Sequence, residues 1–507
     1  MYMTFQSLKF IIFFLCSVVA VFSVPKKAQN LVLLLCNLLF ALLVGGILTI
    51  SFLLIATLST FFAGIMIQKS NTGTSKKVFL VLPFFLNIGL LFVLKYSAFF
   101  TSTANAILML FHIGKQFVYL KILAPVGISF YTLWMLGYLL DVYWNSYEAE
   151  KNFINYAVFA TYFPLITSGP IVRYQNMKEQ FSKERILTSD NVSKGILRVC
   201  WGFFQKMVIA DNIAKIVNHV FDNYTQYIGI YIFFGVVCFA AQLYSDFCGC
   251  IDIALGCSKI LGIDLPENFD APFFSKSIAE YWRRWHITLG TWFKDYFMYP
   301  ILKSKKFVNL GKRVKERFGK KAGKKIPVYL AMFILWFTVG FWHGGVWKYI
   351  IGSGLLHCFY MILSDSMDGV FKKIKSFLHI NDSAWWWKGF QMIRTFLLVC
   401  SGFMFFRANG VRHALNMYRN LFKSSIFSVS NLITLITDSN MSLMKFAVVC
   451  FSVAIIFTVS LVRKTNTQLS QRIYSNKVLS FIIALGLVGM IFLFAATGKT
   501  SFIYFQF

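Results

Sequence analysis

Apolar runs of about 20 residues, the length at which one helix crosses a hydrocarbon core, recur along this sequence from end to end. The clearest are residues 5–24, 78–99, 126–143, 228–244, 326–342, 346–363, 385–406, 444–462 and 478–496. Residues 31–68 read as two further spans broken near Gly45 and Gly46, because glycine is a weak helix former. Backbone immersed in lipid must satisfy its own hydrogen bonds, and uninterrupted runs of this length do so as helices. The expected fold is therefore all-α, a polytopic protein with about eleven transmembrane or re-entrant helices around a central funnel.

Composition removes the competing classes. In 507 residues, 57% are hydrophobic and only 14% charged, which places the chain in a lipid bilayer, as a multi-pass protein of the cell membrane. A net charge of +30 raises the question of nucleic acid, but the Lys and Arg fall in short loops between apolar runs. There they follow the positive-inside rule, and no nucleic-acid partner is expected. Residues 302–325 hold eleven Lys and Arg against the single Glu316, so this basic loop is assigned to the cytoplasm. The next helix climbs outward and carries His343 toward the outer face. Arg463, Lys464 and Arg472 mark a second cytoplasmic loop, after which residues 478–496 leave the tail outside.

The ten cysteines lie almost wholly in apolar segments and read as small buried hydrophobes, with no disulfide framework. Cys248, Cys250 and Cys257 lack a neighbouring histidine or a paired spacing, so no metal site is expected. The first apolar run meets Pro25, Lys26 and Lys27 without a small-residue cleavage site, and is read as a first membrane helix. Residues 153–172, 193–220 and 271–300 are too polar to span alone and too apolar for loops. Such segments survive at membrane depth only when surrounded by protein or a water-filled cavity. Three regions follow: helices in 1–125, a core with re-entrant helices in 126–407, and helices ending in an aromatic tail in 408–507.

Polar groups crowded inside a membrane protein are expensive and usually serve a site. Residues 271–300 crowd Arg283, Arg284, His286, Lys294 and Asp295 among aromatic rings, and Gly340–Gly345 reads GFWHGG and supplies His343. Histidine is the side chain best suited to exchange a proton near neutral pH. On a continuous helix His286 shares a face with Trp282, as a site residue or as an anchor of an interfacial helix. His343 stands beside Gly344 and Gly345, which admit a ligand or another backbone closely, though a structural histidine bonded to a carbonyl fits the same pattern. Asp246 and Asp252 pair with site groups or with packing partners. Arg173, after the SGP turn, meets a phosphate or acyl carbonyl or simply obeys topology.

The blocks YWRRWHITLGTWFKDYFMYP and GFWHGG, joined by a basic loop, resemble the membrane-bound O-acyltransferase family, in its bacterial branch of alginate and other polysaccharide O-acetyltransferase subunits. PVGISFYTLWMLGYLLDVY, FPLITSGPIVRY and YSDFCGCIDIALG add to the resemblance, which covers about residues 24–406. It implies His343 as the essential residue and His286 as a second site residue; Arg283, Arg284, Trp285, Trp342, Asp246 and Arg173 stand beside them as candidate substrate- or donor-binding residues. It also implies acetyl-coenzyme A as acyl donor with no permanently bound cofactor, an exported cell-envelope polysaccharide as acceptor, and a separate extracytoplasmic serine-type acetyltransferase or esterase-like partner. The tail FIYFQF resembles an aromatic motif with a central tyrosine in bacterial surface-acylation systems. Tyr504 is then an acyl relay or, without the resemblance, an interfacial anchor. D-alanyl transfer to teichoic acids and transport of a lipid-linked sugar are the alternative functions.

Overall fold

The computed structural model describes residues 3–114, 116–118, 124–496 and 502–503. The all-α expectation holds: among the described residues the only β feature is an isolated antiparallel bridge between Phe269 and Trp285. Among the described residues seven helices are long and apolar enough to cross a membrane: Lys26–Lys69, Gly73–Leu110, Ile230–Ile260, Lys305–Gly344, Trp385–Arg407, Leu443–Thr465 and Lys477–Phe494. An eighth span exists if Trp347–Ser366 and Asp368–Phe377, bent by 60°, count as one. The chain is a multi-pass membrane protein.

Three expectations need correction. Residues 5–24 do not form a full span: the helix is Leu8–Phe22, 15 residues long, because Ser7 caps it and Phe5 turns into the core. The basic stretch 302–325 is no loop. It is helical from Lys305, since Lys and Arg are good helix formers, and it reverses at Gly319, where φ is 84°. Finally, no continuous helix puts His286 on one face with Trp282, because the helix Ile278–Arg284 stops two residues before His286. The expected break in residues 31–68 is present at Gly46, whose φ of 68° interrupts Lys26–Lys69.

Several charged residues sit on π turns, wider helical turns that displace side chains from the regular register. Lys95 lies in Phe92–Tyr96, Lys206 in Phe204–Ala210 and Asp295 in Lys294–Met298. The core forms where Ser189–Phe203 packs along Ile230–Ile260. Gly202 faces Gly249 and Gly195 faces Gly256, each pair so close that an added Cβ would stand 2.6–2.7 Å from the opposite carbonyl oxygen. Close backbone approach through small residues is how helices gain packing energy in membranes. Gly249→Leu is therefore expected to cost more than about 1–3 kcal/mol, seen as a large drop in melting temperature and monodisperse yield in detergent. Wild-type yield and melting would contradict this packing account.

Candidate active site

His286 and His343 come from unrelated parts of the chain and converge on one cluster of rings. His286 follows the extended residue Trp285, and its own backbone is left-handed, with φ 49° and ψ 50°. The turn is held by a short antiparallel pairing, in which Asp270 N–H donates to Arg284 O at 2.9 Å and Ile287 N–H donates to Asn268 O at 3.0 Å. A left-handed histidine costs backbone energy and persists because these bonds over-determine it.

His343 stands at the end of Lys305–Gly344, two residues before Gly345, whose φ of 59° and N–H bond to Phe341 O close the helix. Gly344 and Gly345 do admit a close approach, but by the protein's own rings. A Cβ on Gly344 would meet Tyr349 at 2.6 Å, and one on Gly345 would meet Tyr96 at 2.5 Å. The carbonyl of Trp342 accepts from Lys95 Nζ at 3.3 Å and from Tyr96 OH at 3.0 Å, which satisfies an otherwise orphaned helix-end group. Lys95 also donates to Ser129 Oγ at 2.8 Å.

The two histidines are buried, at 1% and 4% exposure, and lie within electrostatic range of one another. Trp342 links them, with ring centroids 6.2 Å from His286 and 5.2 Å from His343. Phe247 packs edge-on to His286 at 4.8 Å, and Trp285 lies beyond it at 6.4 Å. A narrow cavity of about 20 Å³, the scale of a single water, is lined by Trp282, Trp285, His343, His357, Phe403 and Phe406. His357, buried 5.2 Å from Trp282, thus joins the site although its sequence surroundings do not single it out.

The other sequence candidates are placed as follows. Trp285 and Trp342 belong to the ring cluster. Arg283 is exposed, while Arg284 is tied to Asp270 at 3.1 Å and to Glu280 at 3.0 Å. Arg173 pairs with Asp295 and lies 5.2 Å over the Tyr296 ring. Asp246 is fully buried and accepts from Lys206 Nζ at 2.6 Å, and Lys206 also meets Asp211 at 2.7 Å. Tyr504 lies outside the described residues.

The tail just before Tyr504 is described and is not a loose end. Ile503 N–H donates to Asp246 Oδ2 at 2.8 Å, and Lys206 Nζ sits 4.7 Å over the buried Phe502 ring. Asp246 adjoins Phe247, the ring that packs on His286. Lys95 and Asn268 also escaped the sequence reading. A lone lysine inside an apolar run was the available signal for the first; a single loop asparagine offers none.

A second polar region borders the ring cluster through Phe269. Arg198 there donates to Asp252 at 2.7 Å and to both oxygens of Glu267 at 2.6 Å. Lost hydration raises the Glu267 pKa, but the Arg198 charge, its hydrogen bonds and the Arg463 charge together outweigh it, so the carboxyl stands below its ordinary range. A cavity of about 50 Å³ runs from Arg198 and Arg463 to Phe269, and one of about 250 Å³ adjoins it at Lys194, Lys259 and Tyr474.

The arrangement offers two buried imidazoles on either side of one indole, and imidazole is chemically able to accept a proton from a hydroxyl. The sequence profile of the membrane-bound O-acyltransferase family matches residues 110–314, a stretch that includes His286 and ends before His343. The chain is 31% identical to the probable alginate O-acetylase of Pseudomonas aeruginosa over 85% of its own length and 77% of that protein. It is 28% identical to the peptidoglycan O-acetyltransferase of Helicobacter pylori, covering 88% and 86% of the two chains. It is 30% identical to the teichoic acid D-alanyltransferase of Bacillus subtilis, over 58% of this chain and 71% of that one.

Proposed function

The chain belongs to the membrane-bound O-acyltransferase family and is an O-acyltransferase; on that premise we propose that it passes an acetyl group from a cytoplasmic thioester toward an exported cell-envelope polysaccharide. The convergence of His286 and His343 on Trp342 carries the reading, because it sets two buried imidazoles against one indole ring. Acetyl is favoured over D-alanyl because the relatives named for acetyl transfer match 85% and 88% of this chain, against 58% for the D-alanyl one.

Acetyl-coenzyme A is the proposed donor, entering along the polar cavities beside Arg198, Lys194 and Lys259. His343 takes the proton of the attacking hydroxyl, whose oxygen adds to the thioester carbon; the thiolate leaves and is protonated by the imidazolium. Tyr504 is the proposed first acceptor. A phenol ionises more readily than an alkyl alcohol, and its ester passes the acetyl group on because phenoxide leaves easily. Support comes from Ile503, bonded to the carboxylate next to Phe247. A separate extracytoplasmic protein with a serine nucleophile then receives the acetyl group and places it on the sugar.

The test is ester-linked acetate on purified envelope polysaccharide from wild type, a deletion, and the deletion carrying Tyr504→Phe. Acetate is expected to vanish in the deletion and to stay absent with Tyr504→Phe despite normal membrane levels. Unchanged acetate in the deletion overturns the acetyl reading and directs the assay to ester-linked D-alanine. Restored acetate with Tyr504→Phe removes the relay alone.

A further inference from the structure

From the hydrogen bonds around Asn268 we infer that this residue holds the His286 imidazole in its Nε2–H tautomer, so that His286 acts as a hydrogen-bond donor to the acyl carbonyl and not as a base. Asn268 is then a positioning residue, and the inference rests on the acyl-transfer reading above. Asn268 Oδ1 accepts from Thr288 N–H at 3.0 Å and from Thr288 Oγ1–H at 2.9 Å. A backbone N–H can only donate, so the amide atom facing it must be the oxygen; a flipped amide would set donor against donor. The hydroxyl is oriented in turn, because Thr288 Oγ1 accepts Ile171 N–H at 2.9 Å and so directs its own proton at Asn268.

Both lone pairs of Oδ1 are thereby used. His286 Nδ1 lies 3.2 Å from Asn268 Nδ2 and 3.3 Å from Oδ1, and of these two atoms only Nδ2 has hydrogen-bonding capacity left. Nδ1 therefore accepts, and a neutral imidazole that accepts at Nδ1 carries its proton on Nε2. The Ile287 N–H bond to Asn268 O fixes the backbone of the turn that presents the ring to Asn268. Phe247 and Trp342, from two other elements, wall the ring and favour its neutral form, with His343 the charged-capable neighbour in range.

A neutral N–H buried among aromatic rings is suited to the oxygen that gains charge as the thioester carbon is attacked. The hydroxyl oxygen bonds to the carbonyl carbon, the C=O pair moves onto oxygen and is met by His286 Nε2–H, and His343 holds the hydroxyl proton. Collapse re-forms C=O, expels the thiolate and returns that proton to it. The two histidines thus divide the labour, one as donor and one as base.

The experiment uses the full-length protein in lipid nanodiscs, with thiol release from acetyl-coenzyme A and ¹⁵N-histidine NMR as readouts. Asn268→Asp presents a carboxylate that draws the proton onto Nδ1 and strips it from Nε2. It is expected to lower kcat about 10²–10³-fold with little change in KM. His286→Gln keeps an N–H donor without a base and should retain more activity than His286→Ala. The His286 signals, assigned by their loss in His286→Gln, should show Nε2 protonated in the wild type and Nδ1 protonated in Asn268→Asp. A merely structural Asn268 would not move that proton, and a melt of each variant separates misfolding from lost chemistry. Wild-type His286 protonated on Nδ1 overturns the inference, as does wild-type kcat in a folded Asn268→Asp protein. A wild-type protein that releases no thiol counts against the donor assignment, and the NMR result still decides the tautomer.

Discussion

A His343→Ala protein is expected to insert and fold normally and to lose acyl transfer by about 10²–10⁴-fold, the usual contribution of a positioned proton acceptor. The fold should survive because the bonds that end its helix do not use the imidazole. Gly345 closes the helix through Phe341 O, and Lys95 and Tyr96 hold the Trp342 carbonyl. The ring packs against Trp342 and Phe406, 5.2 and 5.9 Å away, and lines a cavity that already exists, so its removal enlarges that cavity. Ester-linked acetate on the envelope polysaccharide measures the loss, with membrane level and melting temperature measured in parallel. Normal acetate at normal protein level would remove His343 from the chemistry and leave it a packing residue.

How much of this was legible beforehand depends on the range over which each signal acts. Apolar runs are read locally, so the all-α class, the break at Gly46 and the limits of Leu443–Thr465 and Lys477–Phe494 agree with the sequence to within a few residues. The two histidines were legible because tight, unusual blocks surround them. Their meeting across Trp342 was not, since nothing in either block specifies the other's position.

Helix periodicity misplaced His286 because Trp285 leaves the helix to pair with Phe269, a tertiary contact that overrides local preference. The basic segment after Lys303 was misread for the opposite reason: its charge suited a loop, while its backbone preference suited a helix. Gly195, Gly202, Gly249 and Gly256 repeat at seven-residue spacing on both partners, which is a readable pattern once the two helices are known to touch.

Lys206 shows the same limit at its most consequential point, and replacing it with methionine is expected to be among the most damaging single changes in the protein. Its ammonium lies 2.6 Å from Asp246 and 2.7 Å from Asp211, and all three side chains are at most 8% exposed. Methionine keeps the length of the chain and deletes the charge, leaving two buried carboxylates with Gln6 Nε2 and Ile503 N–H as their described remaining donors. Breaking a buried ion pair from one side costs about 3–5 kcal/mol, because the surviving charge has no water to return to.

The loss should appear twice. Melting in detergent falls, and the tail, deprived of the cation over Phe502 and of a well-placed Asp246, becomes open to proteolysis. Lys206→Met combined with Asp246→Asn removes one of the stranded charges and should recover part of the melting temperature. That pair should not recover transfer if Tyr504 acts as proposed, because a neutral amide at 246 anchors Ile503 more weakly than a carboxylate does. A Lys206→Met protein with an unchanged melt and a protected tail would break the link between this buried charge network and the end of the chain. With that link intact, a cation more than 290 residues from Phe502 in sequence holds Phe502 and, through Asp246, Ile503 against the helix that carries Phe247.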